Sequence, residues 1–278
     1  MTSLVFKGMA ARKLRTVLTA IAIVLGAAMV TGTLIVGHTV KGGFHEWYTQ
    51  ANGKSAAVIT GHLTVRDSNA DVATPTPPLP SSLVEHVRRV PGVVHAEGLV
   101  QGNSIVIDRS GNEIGGAGPP SLVSSTITDP KLTPLHLVDG RMPSKGNEIA
   151  IDTWSASQAK TQIGGTIKLA TETPTRTYTV VGLIKFTGIG TDGATFSIVT
   201  PQTAREILNR KNEVDRIQIA AAPGVTPARL VANLKAAHLG SAVALDILTA
   251  KADGLATEKR DGAFVDIIQT ILLAFGGV

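Results

Sequence analysis

One uncharged segment near the start of the chain constrains the fold more than any other feature. Residues 16–40 contain no Asp, Glu, Lys or Arg and read TVLTAIAIVLGAAMVTGTLIVGHTV. A bilayer core of about 30 Å requires roughly 20 predominantly apolar residues in a helix. A buried helix of a soluble protein rarely stays uncharged over such a length. The segment is therefore predicted to be a transmembrane helix, around which the rest of the chain is organised.

Basic residues lie directly before this segment, and the first acidic residue of the chain is Glu46. The positive-inside rule then predicts a cytoplasmic N-terminus and an extracytoplasmic main domain. Residues 1–15 are predicted to form an amphipathic segment whose cations meet anionic lipid headgroups. A cleaved signal peptide has a shorter apolar core, and no convincing cleavage site follows this one. The candidate membrane-surface residues are Lys7, Arg12, Lys13 and Arg15.

Small residues recur every four positions within the predicted span. Pairs of this kind let a second helix approach closely in a membrane, so they predict packing partners for the span. The net charge of +5 is carried mostly by the N-terminal cations, and no basic stripe with interleaved aromatic residues follows. Nucleic acid is therefore not expected as a partner. The candidate helix-packing residues are Ala22, Gly26, Ala28 and Gly32.

Residues 41–263 have the composition of a soluble α+β domain. Two β-α-β units, at 56–108 and 215–248, are predicted to pair into one porter-like four-stranded sheet with both helices on one face. The segment 109–213 is then an inserted, mostly β subdomain. The helices are predicted to begin at Ser82 with a capping box to Glu85, at Thr200-Pro201 and at Thr226-Pro227. Between 109 and 145 no element is predicted.

A second apolar segment, FVDIIQTILLAFGGV, occupies residues 264–278. As a helix it would be about 22 Å long, which is shorter than a bilayer core. It is predicted to be the start of a second transmembrane helix that the sequence truncates. The alternative is a C-terminal helix packed in the domain core.

Motifs that would indicate a catalytic or cofactor site fail on their context. Residues 188–193 match G-x-G-x-x-G, but a strand follows where a dinucleotide fingerprint requires a helix. Residues 53–55, Gly-Lys-Ser, also lead into a strand and lack the rest of a phosphate loop. The seven His are scattered, and there is no Cys. No catalytic, cofactor-binding or metal-binding residue is therefore predicted.

The order of these parts resembles the FtsX-like permease family of ABC transporters, whose outer domain is the MacB-type periplasmic core. The N-terminal phrase RKLRTVLTAIAIVLG (12–26) begins the resemblance. The other matching phrases are VPGVV (90–94), GRMPSKGNEIAID (140–152), IGGTIKL (163–169) and TYTVVGLI (177–184). IGGTIKL has Gly165 where the family often has Asp.

The resemblance implies a non-enzymatic transmembrane permease subunit in a bacterial cell membrane. It implies a partner ATPase in the cytoplasm that binds the ATP, a second permease copy or homologous half, and contact with membrane lipid. ATP hydrolysis would then move the outer domain for export or for lipoprotein or peptide handling. Two alternatives stay open, namely a regulator of the same architecture that activates a cell-wall hydrolase and a single-span anchored binding domain.

Overall fold

The structure is a computed structural model that describes residues 13, 15–32, 35, 52, 55–63, 76–115, 121–130, 132–186, 193–240 and 243–261. The predictions for Lys7, Arg12 and residues 264–278 lie outside the described residues. The chain divides into two compact units, one of residues 1–46 with 257–278 and one of residues 47–256.

The first unit contains helix α1, Arg15–Gly32, which lies within the predicted transmembrane segment. It is the one helix among the described residues that is long and apolar enough to cross a membrane. Its large apolar side chains are exposed, with Leu18 at 58% and Ile23 at 66%. Exposed Leu and Ile on every side of a helix are expected where lipid, not water, is the surroundings.

The second unit is built mainly of short strands. In chain order the elements are β1 (Ala57–Gly61), β2 (Leu79–Pro80), α2 (Leu83–Arg88), β3 (Val93–Leu99), β4 (Gln101–Asn103), β5 (Ile105–Ile107), β6 (Glu113–Ile114), β7 (Ser121–Ser125), β8 (Leu135–Gly140), β9 (Glu148–Asp152), α3 (Thr153–Gln158), β10 (Thr166–Ala170), β11 (Arg176–Phe186), β12 (Thr195–Val199), α4 (Pro201–Ile207), β13 (Glu213–Val214), β14 (Arg216–Ala221), α5 (Pro227–Ala236), β15 (Leu245–Thr249) and α6 (Ala250–Asp261).

Four strands form an antiparallel sheet in the order β15-β1-β14-β3. Helix α2 lies between β1 and β3 in the chain, and α5 joins β14 to β15. Each helix thus connects two parallel strands that are separated by one antiparallel strand. Because strand side chains alternate between faces, the pairing of Ile59 with Ile217 puts both on one face. Both side chains are buried in the core cluster that includes Leu230 and Leu234 of α5.

The other sheet has nine strands in the order β4-β7-β12-β9-β11-β10-β5-β6, with β8 paired to β11. It is mixed, because β7 runs parallel to β12 and β9 runs parallel to β11. Strands β6, β7 and β8 lie in residues 109–145, where the sequence predicts no element. One continuous core cluster includes residues of both sheets, for example Ile59 of β1 and Ile149 of β9.

All three helix starts agree with the sequence, but the capping box predicted at one of them does not form. The Thr200 and Thr226 side chains cap α4 and α5 by accepting from the amides of Thr203 and Arg229. The capping box at Ser82 is wrong, because Ser82 has helical φ and ψ and its side chain makes no capping hydrogen bond. Glu85 instead pairs with Arg88, with 2.5 Å between Oε1 and Nη1.

Candidate functional site at the junction of the two sheets

The chain crosses from the four-stranded to the nine-stranded sheet after Leu99 and returns at Asp215. The two crossings are hydrogen-bonded to each other. The Asp215 amide donates to the Leu99 carbonyl at 2.9 Å, and the Gln101 amide donates to Asp215 Oδ2 at 2.8 Å. Asp215 therefore holds the outgoing and returning strands side by side.

A second residue of the inserted segment, Arg210, binds the same carboxylate. Arg210 Nε donates to Asp215 Oδ1 at 3.0 Å, while Arg210 Nη1 lies 3.6 Å from Glu172 Oε2. The Arg210 and Asp215 side chains are only 19% and 16% exposed. Burial by itself lowers the pKa of Arg210, but the hydrogen bond to Asp215 and the negative charges of Asp215, Glu172 and Glu213 together outweigh it, and the pKa is raised. The guanidinium therefore stays charged and paired.

The next residue along the chain, Arg216, makes a separate charged contact. Its Nη2 donates to Asp253 Oδ2 in the first turn of α6, and Asn52 Nδ2 donates to the same oxygen at 2.7 Å. Asp253 is 2% exposed and Asn52 is 4% exposed. A buried carboxylate requires such partners, because an unpaired charge in a low-dielectric interior is strongly destabilising. Asn52, Arg210, Asp215, Arg216 and Asp253 are called the junction cluster below.

Part of the junction cluster is buried without full hydrogen bonding. Two polar atoms of the cluster, Asn52 Oδ1 and Arg216 Nε, have no hydrogen-bond partner among the described residues, and neither does Oε1 of Gln218 on β14. Gln218 is 3% exposed and lies within β14. It lies on the same face of the strand as Arg216, because the two are two residues apart. Arg216 and Gln218 are thus two largely buried polar residues on one face of the four-stranded sheet.

The phrases that carry the family resemblance meet at strand β11. Gly140 of the phrase at 140–152 pairs with Gly182 of the phrase at 177–184. The Arg141 amide donates to the Val181 carbonyl at 2.9 Å, and the Gly164 amide donates to the Val180 carbonyl at 2.8 Å. Three segments that are separate in the sequence are thus hydrogen-bonded to one another along β11.

Glu148, within the same phrase, accepts an unusually large set of hydrogen bonds. Its two oxygens receive Arg141 Nη2 at 2.5 Å and Nη1 at 2.8 Å. The amides of Ser144 and Lys145 donate at 2.9 and 3.1 Å. The Arg141 guanidinium and then the Ser144 amide hold the pKa of Glu148 far below its usual range. The carboxylate is therefore an anchor for the turn between β8 and β9.

This pKa shift predicts an acid-dependent loss of stability. A carboxyl group whose pKa is lowered by folding stabilises the protein above its unfolded pKa of about 4.3, and that stabilisation is lost as the pH falls toward the folded value. Glu148→Gln removes the ionisable group and its charged pair with Arg141. We expect urea unfolding of the variant to depend less on pH between about pH 5 and pH 3 than unfolding of the parent chain. Equal pH dependence of the two would contradict this role for Glu148.

Of the sequence-predicted membrane residues that the structure describes, all but Gly26 are exposed. Lys13 and Arg15 are exposed at the start of α1, as are Ala22, Ala28 and Gly32. Gly26 is partly buried, and a Cβ added at Gly32 would meet nothing within 4 Å. Lipid contact and helix packing at these positions stay predictions.

The junction cluster was not predicted from the sequence, because its members are far apart in the chain. Asn52 and Asp253 are 201 residues apart, and Arg216 and Asp253 are 37 apart. The one local signal is the Asp-Arg pair that immediately precedes the apolar run of β14. A charged pair next to a buried strand indicates that both charges need polar or oppositely charged partners, although it does not identify those partners.

Three further observations bear on ligands. Among the described residues no group of three or more His, Cys, Asp or Glu side chains is arranged to hold a metal ion. An open groove of about 440 Å³ lies between the ends of α2 and α5, with His86, Arg89 and His238 at its rim. Of the glycine motif at 188–193, Gly193 alone is described, and the strand β12 that follows it is the one predicted.

The match to a known family agrees with an extracytoplasmic domain attached to a membrane span. The sequence profile of the MacB-like periplasmic core domain matches residues 16–237. The periplasmic region of MacB from Actinobacillus actinomycetemcomitans is 11% identical, with a TM-score of 0.47, 74% of this chain and 95% of that chain covered. A domain of a putative permease protein from Porphyromonas gingivalis is 14% identical, with a TM-score of 0.44, 70% and 90% covered.

A third solved structure is the extracellular domain of the noncanonic ABC-type transporter YknZ from Gram-positive bacteria. It is 12% identical, with a TM-score of 0.41, and 69% of this chain and 98% of that chain are covered. A search of curated protein sequences found no match.

Helix α1, the two sheets and the profile match together define the class of protein, which is a membrane protein with an extracytoplasmic α+β domain. The profile match then covers most of the chain, so the chain belongs to the MacB-like periplasmic core domain family. The predicted resemblance is confirmed. At the level of the family, the chain is a membrane component of an ABC-type permease, which is a non-enzymatic role exercised together with an ATPase.

Proposed function

We propose that the chain is a permease subunit that couples ATP hydrolysis by a separate cytoplasmic ATPase to movement of its outer domain. The observation that carries the proposal is the profile match from residue 16 to residue 237. The match runs from the start of α1 through the end of α5, so one family unit joins the membrane span to most of both sheets. The cargo is an exported molecule, a lipoprotein or a peptide.

The orientation and assembly follow from the same reasoning. The basic residues at the N-terminal end of α1, including Lys13 and Arg15, place the N-terminus in the cytoplasm by the positive-inside rule. Residues 264–278 begin a second transmembrane helix, and a second permease copy or homologous half packs against the small residues of α1. The chain binds no cofactor of its own, because the ATP is held by the ATPase.

The four-stranded sheet with α2 and α5 is the porter-like part of this domain. Its two crossed β-α-β connections support that assignment, since each helix joins strands that flank an antiparallel neighbour. The residues from 109 to 213, which lie between β3 and β14, supply most of the nine-stranded sheet and form the inserted subdomain.

Co-purification tests the proposed function. The full-length protein, affinity-tagged and solubilised from the membranes of its own cells, is expected to carry Mg²⁺-dependent ATPase activity through purification. A version that lacks residues 1–40 is the control and should carry none, because it has lost the predicted first span. If the full-length protein purifies without ATPase activity above this control, the permease proposal fails.

A further inference from the structure

Two adjacent residues at the start of β14 bind three separate segments of the chain directly and a fourth through Asp253. Asp215 accepts from the Gln101 amide on the outgoing crossing and from Arg210 after α4. Arg216 donates to Asp253 of α6, and Asp253 also accepts from Asn52, which precedes β1. Neighbouring side chains on an extended chain point in opposite directions, so the pair reaches to both sides of one backbone.

The segments on the two sides of the pair are neighbours of different parts of the chain. Asn52 follows the predicted first span, and Asp253 precedes the predicted second span. Gln101 and Arg210, in contrast, lie at the two ends of the inserted residues that build the nine-stranded sheet. The pair at 215 and 216 therefore links the segments next to the predicted spans to the inserted sheet, through side-chain hydrogen bonds on the two sides of one peptide bond.

Charged contacts at this position fix geometry more than they add stability. The Arg216 and Asp253 side chains are 17% and 4% exposed. Replacing a buried ion pair with apolar residues of similar size is often neutral or stabilising, whereas removing one partner is strongly destabilising. Hydrogen bonds to Asp253 Oδ2 are also directional, so they select one placement of α6 along β14, which an apolar contact does not.

We infer that Asp215 and Arg216 are positioning residues that couple the placement of the first turn of α6 to the two strands that enter the inserted sheet. The inference deepens the proposed function, because it identifies the residues that would transmit movement of the spans to the outer domain. The role of these residues in transport rests on the proposed function. The coupling itself is a property of the chain alone. It is therefore measurable without an ATPase.

Hydrogen exchange of single backbone amides tests the coupling. In the full chain in detergent, Asp253→Asn is expected to speed exchange of the Gln101 and Asp215 amides by about tenfold or more, because both amides bond within the junction. Exchange in β10 should not change, since none of its residues belongs to the junction cluster. Lys251→Ala, an exposed position of the same helix, is the matched control and should leave all of these rates unchanged.

A purely local role for Asp253 gives a different pattern. In that case exchange rises only in α6 and near Asn52, while Gln101 and Asp215 keep the parent rates, and the inference is overturned. If Asp253→Asn does not fold, the double variant Arg216→Met with Asp253→Leu replaces it, because an apolar pair is expected to preserve folding. This variant should unfold as cooperatively as the parent and still show faster exchange at Gln101. Parent rates at Gln101 would overturn the inference there too.

Discussion

Gly140→Ala is expected to destabilise the outer domain by more than about 3 kcal/mol, which is enough to unfold a domain of ordinary stability in part. Gly140 has a φ of +76°, where a side chain is strained. A Cβ at this position would also lie 2.3 Å from the Val181 carbonyl oxygen and 2.7 Å from Ile163 Cδ1. That carbonyl accepts the Arg141 amide, so it cannot withdraw without breaking a hydrogen bond.

Gly224→Ala is the matched control for this prediction. Gly224 has a φ of +80°, yet a Cβ added there would meet nothing within 4 Å. The control therefore carries the conformational strain without the collision, and we expect it to destabilise by about 1 to 2 kcal/mol. Urea unfolding of both variants, followed by circular dichroism, measures the difference. Equal destabilisation by the two substitutions would show that the contact between Gly140 and β11 is not tight.

Local sequence patterns predict those elements whose signals are themselves local. Strand β9 occupies the predicted residues, Glu148–Asp152, because its apolar residues form one short run between polar ones. Helices α4 and α5 each start at a Thr-Pro pair. The Thr cap and the fixed φ of Pro both act within the first turn, so the sequence predicts both starts. Ser82 has the same side-chain chemistry but helical backbone angles, so its hydroxyl does not reach the amide that it was expected to cap.

Long-range pairing explains what the sequence does not predict. Strand β7 has the sequence SLVSS, which lacks the β-branched run typical of a strand, yet it pairs in parallel with β12 from Ser121 to Ser125. Its stability comes from a partner more than 70 residues away (Thr195 opposite Ser121). The junction cluster is missed for the same reason, since Asp253 meets Arg216 and Asn52 only when the four-stranded sheet has formed.

Asp152→Ala is expected to destabilise the outer domain by about 2 to 4 kcal/mol, the sum of a lost helix cap and an unpaired buried amide. Asp152 ends β9 and is 1% exposed. Its carboxylate caps α3 by accepting from the Ser155 amide at 2.9 Å and from the Ser155 hydroxyl. It also accepts from the Phe196 amide of β12 at 2.8 Å. Alanine leaves both buried amides without this acceptor.

An exposed aspartate provides the control for the same deletion. Asp139 accepts from the Gly140 amide at 2.8 Å, but water replaces this acceptor when the side chain is removed. We therefore expect Asp139→Ala to change stability by less than about 1 kcal/mol. Chemical unfolding of both variants compares the two, and a similar loss for each would refute the role of burial at Asp152. Since Asp152 ends the phrase at 140–152 that carries much of the family resemblance, a large loss would mean that the phrase specifies how the inserted sheet is held together.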